Sequence, residues 1–208
     1  DGDPLVGEGA DWSGLARTRK RPHKTIWLRR KNKPGSESEW NLWLRAAKRA
    51  AKLEAGFPEL HLSKKGRKRI LTGVLPPGNW KPLFRLRRKR GALDLASALE
   101  VTCQAADLVA QAEERGITSD KQLNRELLFD QEEGALILCG HWRLFHQDEE
   151  SNAPERLFRL LMFLSGRGPS LESLEERYRA QISSGRVFDA ASASKMLREE
   201  MGSMLGEQ

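Results

Sequence analysis

The sequence predicts an α+β protein of two unequal lobes: a small β-rich N-terminal lobe with one helix, and a reduced, mainly helical C-terminal lobe. Short β-prone runs separated by turn residues occupy most of the first 90 residues. From Leu95 onwards, most segments have the periodicity of amphipathic helices. Because strands come first, helices come later and Pro76-Pro77-Gly78 separates them, we expect an N-lobe at residues 1–77 and a C-lobe at residues 78–208.

The predicted N-terminal elements are short strands around one helix. Glu39–Ala55 is rich in Ala, Leu, Trp, Lys and Arg and contains no Pro or Gly. This composition predicts a helix, which Gly56 and Pro58 end. The flanking β-prone runs predict strands at Leu15–Arg19, Thr25–Arg30 and Arg69–Leu75.

The predicted C-terminal elements are mainly amphipathic helices. Leu95–Arg115 carries an apolar stripe and is followed by Gly116, a residue typical of the position after a helix. A turn at Gln131–Gly134 predicts a β-hairpin between Glu126–Phe129 and Ala135–Cys139. Further helices are predicted at Pro154–Leu164, Leu171–Ser183 and Ser192–Leu205.

The composition excludes several classes of protein. A hydrophobic fraction of 38% and six tryptophans exclude disorder along the whole chain. The longest apolar run, Leu157–Leu164, is too short to span a bilayer and contains Arg159. Cys103 and Cys139 cannot form a disulfide framework, and no His or Cys spacing suits zinc, so we assign no metal site. We expect a soluble cytoplasmic protein without a signal peptide.

The charge is distributed unevenly along the chain. Residues 1–90 contain 24 Lys and Arg against 8 Asp and Glu, whereas residues 91–208 are net acidic, although the whole chain has a net charge of +7. The basic residues are clustered at Arg17–Arg21, Arg29–Lys33, Lys64–Arg69 and Arg85–Arg90. Such asymmetry predicts an anionic partner for the N-terminal half: anionic lipid at a membrane surface, nucleic acid or an acidic protein.

The order of the predicted pieces is informative in itself. A glycine-containing run opens the chain, a helix followed by Gly-Phe-Pro lies between strands, and a long helix ends in Arg-Gly-Ile. The segments concerned are Val6–Ala10, Thr25–Arg30, Ser38–Leu42, Ala55–Pro58, Ile70–Pro76 and Glu113–Ile117. In this order they resemble the protein-kinase-like fold, and most closely the bacterial lipopolysaccharide kinases that phosphorylate heptose or Kdo sugars.

The resemblance implies a nucleotide site in the N-lobe. Gly7 and Gly9 correspond to the glycine-rich loop, where backbone amides approach the phosphates of ATP. Arg29 takes the place of the phosphate-binding lysine at the end of the third strand, with Lys24 and Arg30 as alternatives. By the same resemblance, ATP is the implied cofactor.

The resemblance also places a catalytic loop, but most of its motif residues differ. Glu39 corresponds to the helix glutamate that pairs with the strand lysine, and Asp120 to the aspartate that orients and deprotonates the acceptor hydroxyl. Arg125 replaces the metal-binding asparagine, and Cys139-Gly140 stand where the second metal-binding aspartate belongs. His141 fits the Asp-Leu-His-Arg variant of lipopolysaccharide kinases, although the aspartate itself is missing.

These departures predict degenerate kinase chemistry. Phosphoryl transfer depends on Mg²⁺ bridging the β- and γ-phosphates, and both protein ligands for that ion are missing, which argues against Mg²⁺ as a cofactor. We therefore expect a pseudokinase or a very weak phosphotransferase, peripheral on the inner membrane, with an anionic lipid or a lipopolysaccharide precursor as its partner. On this alignment, Arg125→Asn together with Gly140→Asp should strengthen the binding of Mg·ATP.

Two other functions remain open at this stage. The first is a regulatory or scaffold module that docks an acidic protein and uses no nucleotide chemistry. The second is a nucleic-acid-binding protein whose basic clusters lie near Trp27, Trp40 and Trp80, although it has no recognised nucleic-acid motif.

Overall fold

A computed structural model describes residues 3–8, 11–17, 25–31, 37–53, 55–65, 68–118, 122–140, 142–144, 151–166, 169–184 and 188–206. Strands fill the first part of the chain and helices fill most of the second part. The α+β prediction is therefore confirmed.

A five-stranded antiparallel sheet forms the N-terminal part, with the strand order β1-β2-β3-β5-β4. Its strands are β1 (Asp3–Glu8), β2 (Asp11–Arg17), β3 (Thr25–Lys31), β4 (Glu59–Lys65) and β5 (Lys68–Val74). The predicted strands correspond to β2, β3 and β5, whereas β1 and β4 were not expected as strands. β1 contains Pro4 and Gly7, which weaken its strand pattern, whereas the alternation of Leu60 and Leu62 with polar residues in β4 was a strand signal that the sequence analysis did not use.

One helix, α1 (Glu37–Ala50), connects β3 to β4 and turns an alanine-rich face inward. Trp43, Ala46, Ala47 and Ala50 are buried on this face. The helix ends five residues before the predicted Ala55, because the chain tightens into turns whose N–H groups bond three residues back. These turns bring the following residues against the helical part of the molecule.

A glycine makes that approach feasible. Gly56 has a φ of +79°, and a Cβ atom placed there would lie 2.2 Å from Cδ2 of Leu108. Only a residue without a side chain fits this backbone conformation and this distance. In addition, the N–H of Leu138 donates to the carbonyl of Gly56 over 2.9 Å. The loop after α1 is therefore fixed to the helical part.

The connection after β5 leads into β6 (Trp80–Pro82) and α2 (Leu83–Arg90). β6 forms the edge of a second antiparallel sheet, with the order β6-β8-β9. The other two strands, β8 (Leu127–Asp130) and β9 (Leu136–Leu138), form the predicted hairpin. The buried carboxylate of Asp130 accepts the N–H groups of Asn79 and Glu132, each over 3.0 Å, and so holds the connection against the hairpin.

The helical part is built around α3. Its helices are α3 (Leu95–Glu114), α4 (Leu123–Glu126), α5 (Ala153–Ser165), α6 (Pro169–Ser183) and α7 (Ala190–Gly206). The side chain of Asp94 caps α3 by accepting the N–H of Ser97 over 2.8 Å, and these hydrogen bonds lower the pKa of Asp94. α3 packs against α5 and α7 and is buried on more than the single stripe that was expected.

A two-stranded ladder joins β7 (Ile117–Thr118) to β10 (Arg143–Leu144), and α1 packs beside it. Nη1 of Arg49 on α1 also donates to the carbonyl of Gly116 over 3.2 Å. One hydrophobic core runs from Leu15 and Trp43 to Leu197. Within the described ranges, every helix is too short or too polar to cross a membrane.

Candidate functional site

The predicted phosphate-binding residues lie on the N-terminal sheet. Gly7 is near the end of β1, opposite Trp12 in β2, whereas Gly9 lies outside the described residues. Position 29 in β3 is directly opposite Leu71 and shares its sheet face with Leu15, and both leucines are buried. Position 30 belongs to the other face and is opposite Ile70. Position 29 is therefore on the buried face of the sheet, and Lys24 lies outside the described residues.

Two of the other predicted site residues, Glu39 and Arg125, lie in described segments. Glu39 is in the first turn of α1. Arg125 lies on the single-turn helix α4, exposed between the buried Leu123 and Glu126. Asp120 and His141 lie outside the described residues. The roles inferred for these four residues stay predictions.

Gly140, which the resemblance aligns with the second metal-binding aspartate of kinases, is closely packed. Gly140 is buried, and a Cβ atom there would lie 2.7–2.9 Å from three carbons of the Trp142 indole ring. Trp142 is 3% exposed, and its ring centroid is 5.9 Å from that of Phe57. The indole thus occupies the space into which a carboxylate at position 140 would project.

Cys139 does not replace the missing ligand. Its side chain is 1% exposed, and burial raises the pKa of its thiol well above the usual value, so the thiol stays protonated. Its N–H donates to the carbonyl of Glu126 over 2.8 Å, which fixes the segment. A neutral thiol, a glycine and the cation of Arg125 do not form a magnesium site, since Mg²⁺ requires oxygen ligands.

Glu126 itself forms a buried ion pair that sequence reasoning missed. Nη2 of Arg156 on α5 donates to Oε2 of Glu126 over 2.8 Å, and the two side chains are 9% and 0% exposed. The pair joins α4 to α5 across 30 positions of sequence. Its one sequence signal is the arginine two positions after Pro154, at the start of an apolar helix, where a buried charged residue requires a partner.

The connection between β5 and β6 offers few backbone donors to a ligand. Pro76 and Pro77 have no N–H, and the N–H of Asn79 is donated to Asp130. The carbonyl of Pro76 accepts Nε1–H of Trp80 over 2.9 Å. Within positions 76–79, Gly78 is therefore the one residue whose backbone N–H is neither absent nor donated to Asp130.

The described residues of the helical part line a groove and a smaller cavity. An open groove of about 590 Å³ between α3 and α7 is lined by charged residues that already pair with one another, such as Arg198 with Asp107. A cavity of about 330 Å³ lies between α4 and α5. Among the residues that the structure describes, no three His, Cys, Asp or Glu side chains come together as a metal site.

Comparison with known proteins supports the fold and gives no closer relationship. The chain is similar in structure to the kinase domain of PknI from Mycobacterium tuberculosis, with a TM-score of 0.66 and 12% sequence identity. The match covers 95% of this chain and 94% of that domain. No protein-family profile and no curated protein matches the sequence. The prediction of a protein-kinase-like fold is confirmed.

Proposed function

We propose that this protein is a pseudokinase, a kinase-fold protein in which ordinary Mg·ATP-dependent phosphotransfer is absent or very slow. The observation that carries the proposal is the packing of Trp142: its ring lies 2.7–2.9 Å from where a Cβ atom at Gly140 would stand, and the resemblance aligns Gly140 with the metal-binding aspartate. Because the metal supplies most of the electrostatic stabilisation in phosphoryl transfer, its loss should cost orders of magnitude in rate. Nucleotide binding without Mg²⁺ remains compatible with this arrangement.

The decisive measurement is the effect of ATP on thermal stability, with Mg²⁺ and with EDTA. A ligand that binds only the folded state raises Tm through mass action. We expect either no shift or a shift that is equal with and without Mg²⁺, together with no detectable transfer of phosphate to heptose- or Kdo-containing acceptors. A Tm shift that requires Mg²⁺, accompanied by ATP-dependent phosphorylation that Asp120→Ala abolishes, would overturn the proposal.

We further propose that the protein acts at an anionic surface, as the resemblance to lipopolysaccharide kinases suggests. Five of the eight residues of α2 are arginine or lysine, and this helix continues the basic N-terminal half. Each cation near an anionic bilayer contributes about 1 kcal/mol to binding. Lipopolysaccharide precursors and anionic lipids carry the charge that such a helix attracts, and an acidic protein partner would use the same helix.

The surface proposal predicts salt-sensitive binding to phosphatidylglycerol vesicles. Replacing Arg88, Lys89 and Arg90 by glutamine should weaken vesicle binding on the order of 100-fold at low salt. The matched control replaces Arg177, Arg179 and Lys195 by glutamine, which removes the same charge from exposed positions on α6 and α7. Equal losses in both triple variants would contradict the assignment of the binding surface to α2, and tight retention of DNA without vesicle binding would favour the nucleic-acid alternative.

A further inference from the structure

The strand β4 is at an open edge of the N-terminal sheet. It pairs with β5 on one side, and no described strand pairs with its other side. The outward N–H and C=O groups of such a strand can form a ladder with another chain, which proteins often prevent with proline or a bulge. At the opposite edge of the sheet, β1 contains both, between Pro4 and Val6. β4 has a continuous register over seven residues, so its edge is suited to pairing.

The side chains of β4 show that this edge is accessible. His61, Leu62 and Ser63 are exposed, so no described element covers either face of the strand at these positions. Leu62 is 39% exposed although it is directly opposite Leu71, which is fully buried. The apolar face of the sheet therefore continues to its edge, where a second strand would shield Leu62 from water.

The charges of β4 are separated along the strand. Glu59 begins it and is its only acidic residue, whereas Lys64 and Lys65 end it. In the ladder with β5 these two positions are opposite Arg69 and Lys68, so cation faces cation, which is destabilising. Positions 59 and 65 are about 20 Å apart along the extended backbone, so Glu59 cannot relieve this repulsion within one molecule.

Antiparallel pairing of two β4 strands brings the opposite charges together. A two-fold axis through Leu62, the central residue, places Glu59 of each copy opposite Lys65 of the other. The remaining opposed pairs are Leu60 with Lys64, His61 with Ser63, and Leu62 with its own copy. No like charges face each other in this register.

The charge pattern selects this register over its neighbours. Opposed residues of an antiparallel pair share one face of the sheet, so the two-fold axis must pass through a residue. Moving the axis to position 61 or 63 separates Glu59 from Lys65. Within one molecule, Glu59 contacts His61 over 3.3 Å, but both side chains are more than half exposed, so the carboxylate remains accessible to a second copy.

We propose that two copies of this chain associate through their β4 edges, which joins the two five-stranded sheets into one continuous sheet across a two-fold axis. The interface consists of one strand from each copy, so the dimer is weak, with a Kd on the order of 10 μM. The inference goes beyond the proposed pseudokinase function, because it requires neither nucleotide nor an anionic surface.

Sedimentation velocity of the full chain, from about 1 to about 200 μM, tests the proposal. We expect a concentration-dependent shift from monomer to dimer. Leu62→Lys places two lysines on the axis and should weaken association at least about 30-fold. The matched control is Ile182→Lys, because Ile182 is an apolar residue of α6 with a similar exposure of 45%, and this variant should dimerise like the native chain. Tm values of both variants confirm folding.

Exchanging the charges tests the register separately. Glu59→Lys alone or Lys65→Glu alone should weaken the dimer about tenfold, because like charges then face each other twice. The double variant Glu59→Lys with Lys65→Glu should regain the native affinity. A chain that stays monomeric at about 200 μM overturns the proposal. Equal weakening by Leu62→Lys and Ile182→Lys, or a double exchange that recovers none of the affinity lost in the single variants, would also overturn it.

Discussion

Replacing Glu126 by alanine is expected to lower the free energy of unfolding by about 3–5 kcal/mol. The substitution removes a fully buried carboxylate. Arg156, whose side chain is 9% exposed, then loses this ion-pair partner. Removing one partner of a buried pair costs far more than the pair itself contributes, because the remaining charge is poorly solvated. Urea unfolding followed by circular dichroism measures the change.

An exposed pair on the same helix provides the control. Glu155 and Arg159 form an i,i+4 ion pair whose side chains are 60% and 65% exposed. Glu155→Ala should therefore change stability by less than about 1 kcal/mol. The double variant Glu126→Met with Arg156→Leu should regain most of the stability lost in Glu126→Ala, since no buried charge remains. Similar losses for Glu126→Ala and Glu155→Ala would show that the buried pair has no special cost.

The helices and the order of elements were predictable because the information is local. α3 and α5 are long segments with a strong apolar pattern, and their predicted bounds agree with the structure within one or two residues. Gly116, predicted to end α3, has a φ of +65°, which non-glycine residues rarely adopt. The kinase-like arrangement followed from the order of such pieces, which persists although sequence identity to the PknI kinase domain is 12%.

The candidate sites were less predictable because they depend on contacts between distant segments. β1 pairs with β2 along a short, irregular register that includes a bulge between Pro4 and Val6, and no local pattern specifies it. The partners Glu126 and Arg156 are 30 positions apart, and the cavity beside them exists only when α4 packs on α5. Sequence spacing alone does not specify side-chain packing of this kind.

The packing of Trp142 beside Gly140 shows most clearly what could not be predicted from the sequence alone. In the alignment with the kinase motif, the single substitution Gly140→Asp would restore a metal ligand. In the folded chain, Trp142 turns back over Gly140 and packs towards Phe57. The expectation that Arg125→Asn with Gly140→Asp suffices to strengthen Mg·ATP binding is therefore revised, since the indole must also be removed.

Trp142→Ala is expected to lower the free energy of unfolding by about 3–5 kcal/mol, because the ring is almost fully buried in the core. Gly140→Ala should cost about 1–3 kcal/mol in the native background, where its Cβ atom would overlap the indole. In the Trp142→Ala background the same Gly140→Ala change should be nearly neutral. Urea unfolding of the four proteins in this cycle measures the coupling directly. Additive losses would show that the two residues do not compete for one space.

A second version of this experiment tests function, and it replaces Gly140 by aspartate instead of alanine. With Trp142 intact, Gly140→Asp should destabilise the protein and leave the Tm shift with Mg·ATP unchanged, because the carboxylate has no room beside the ring. When Gly140→Asp is combined with Trp142→Ala and Arg125→Asn, two oxygen ligands become accessible and the Tm shift with ATP should depend on Mg²⁺. Trp142→Ala with Arg125→Asn alone is the control for loss of packing. A Mg²⁺-dependent shift in the single Gly140→Asp variant would show that the ring moves aside, and that one substitution separates this chain from a metal-binding kinase.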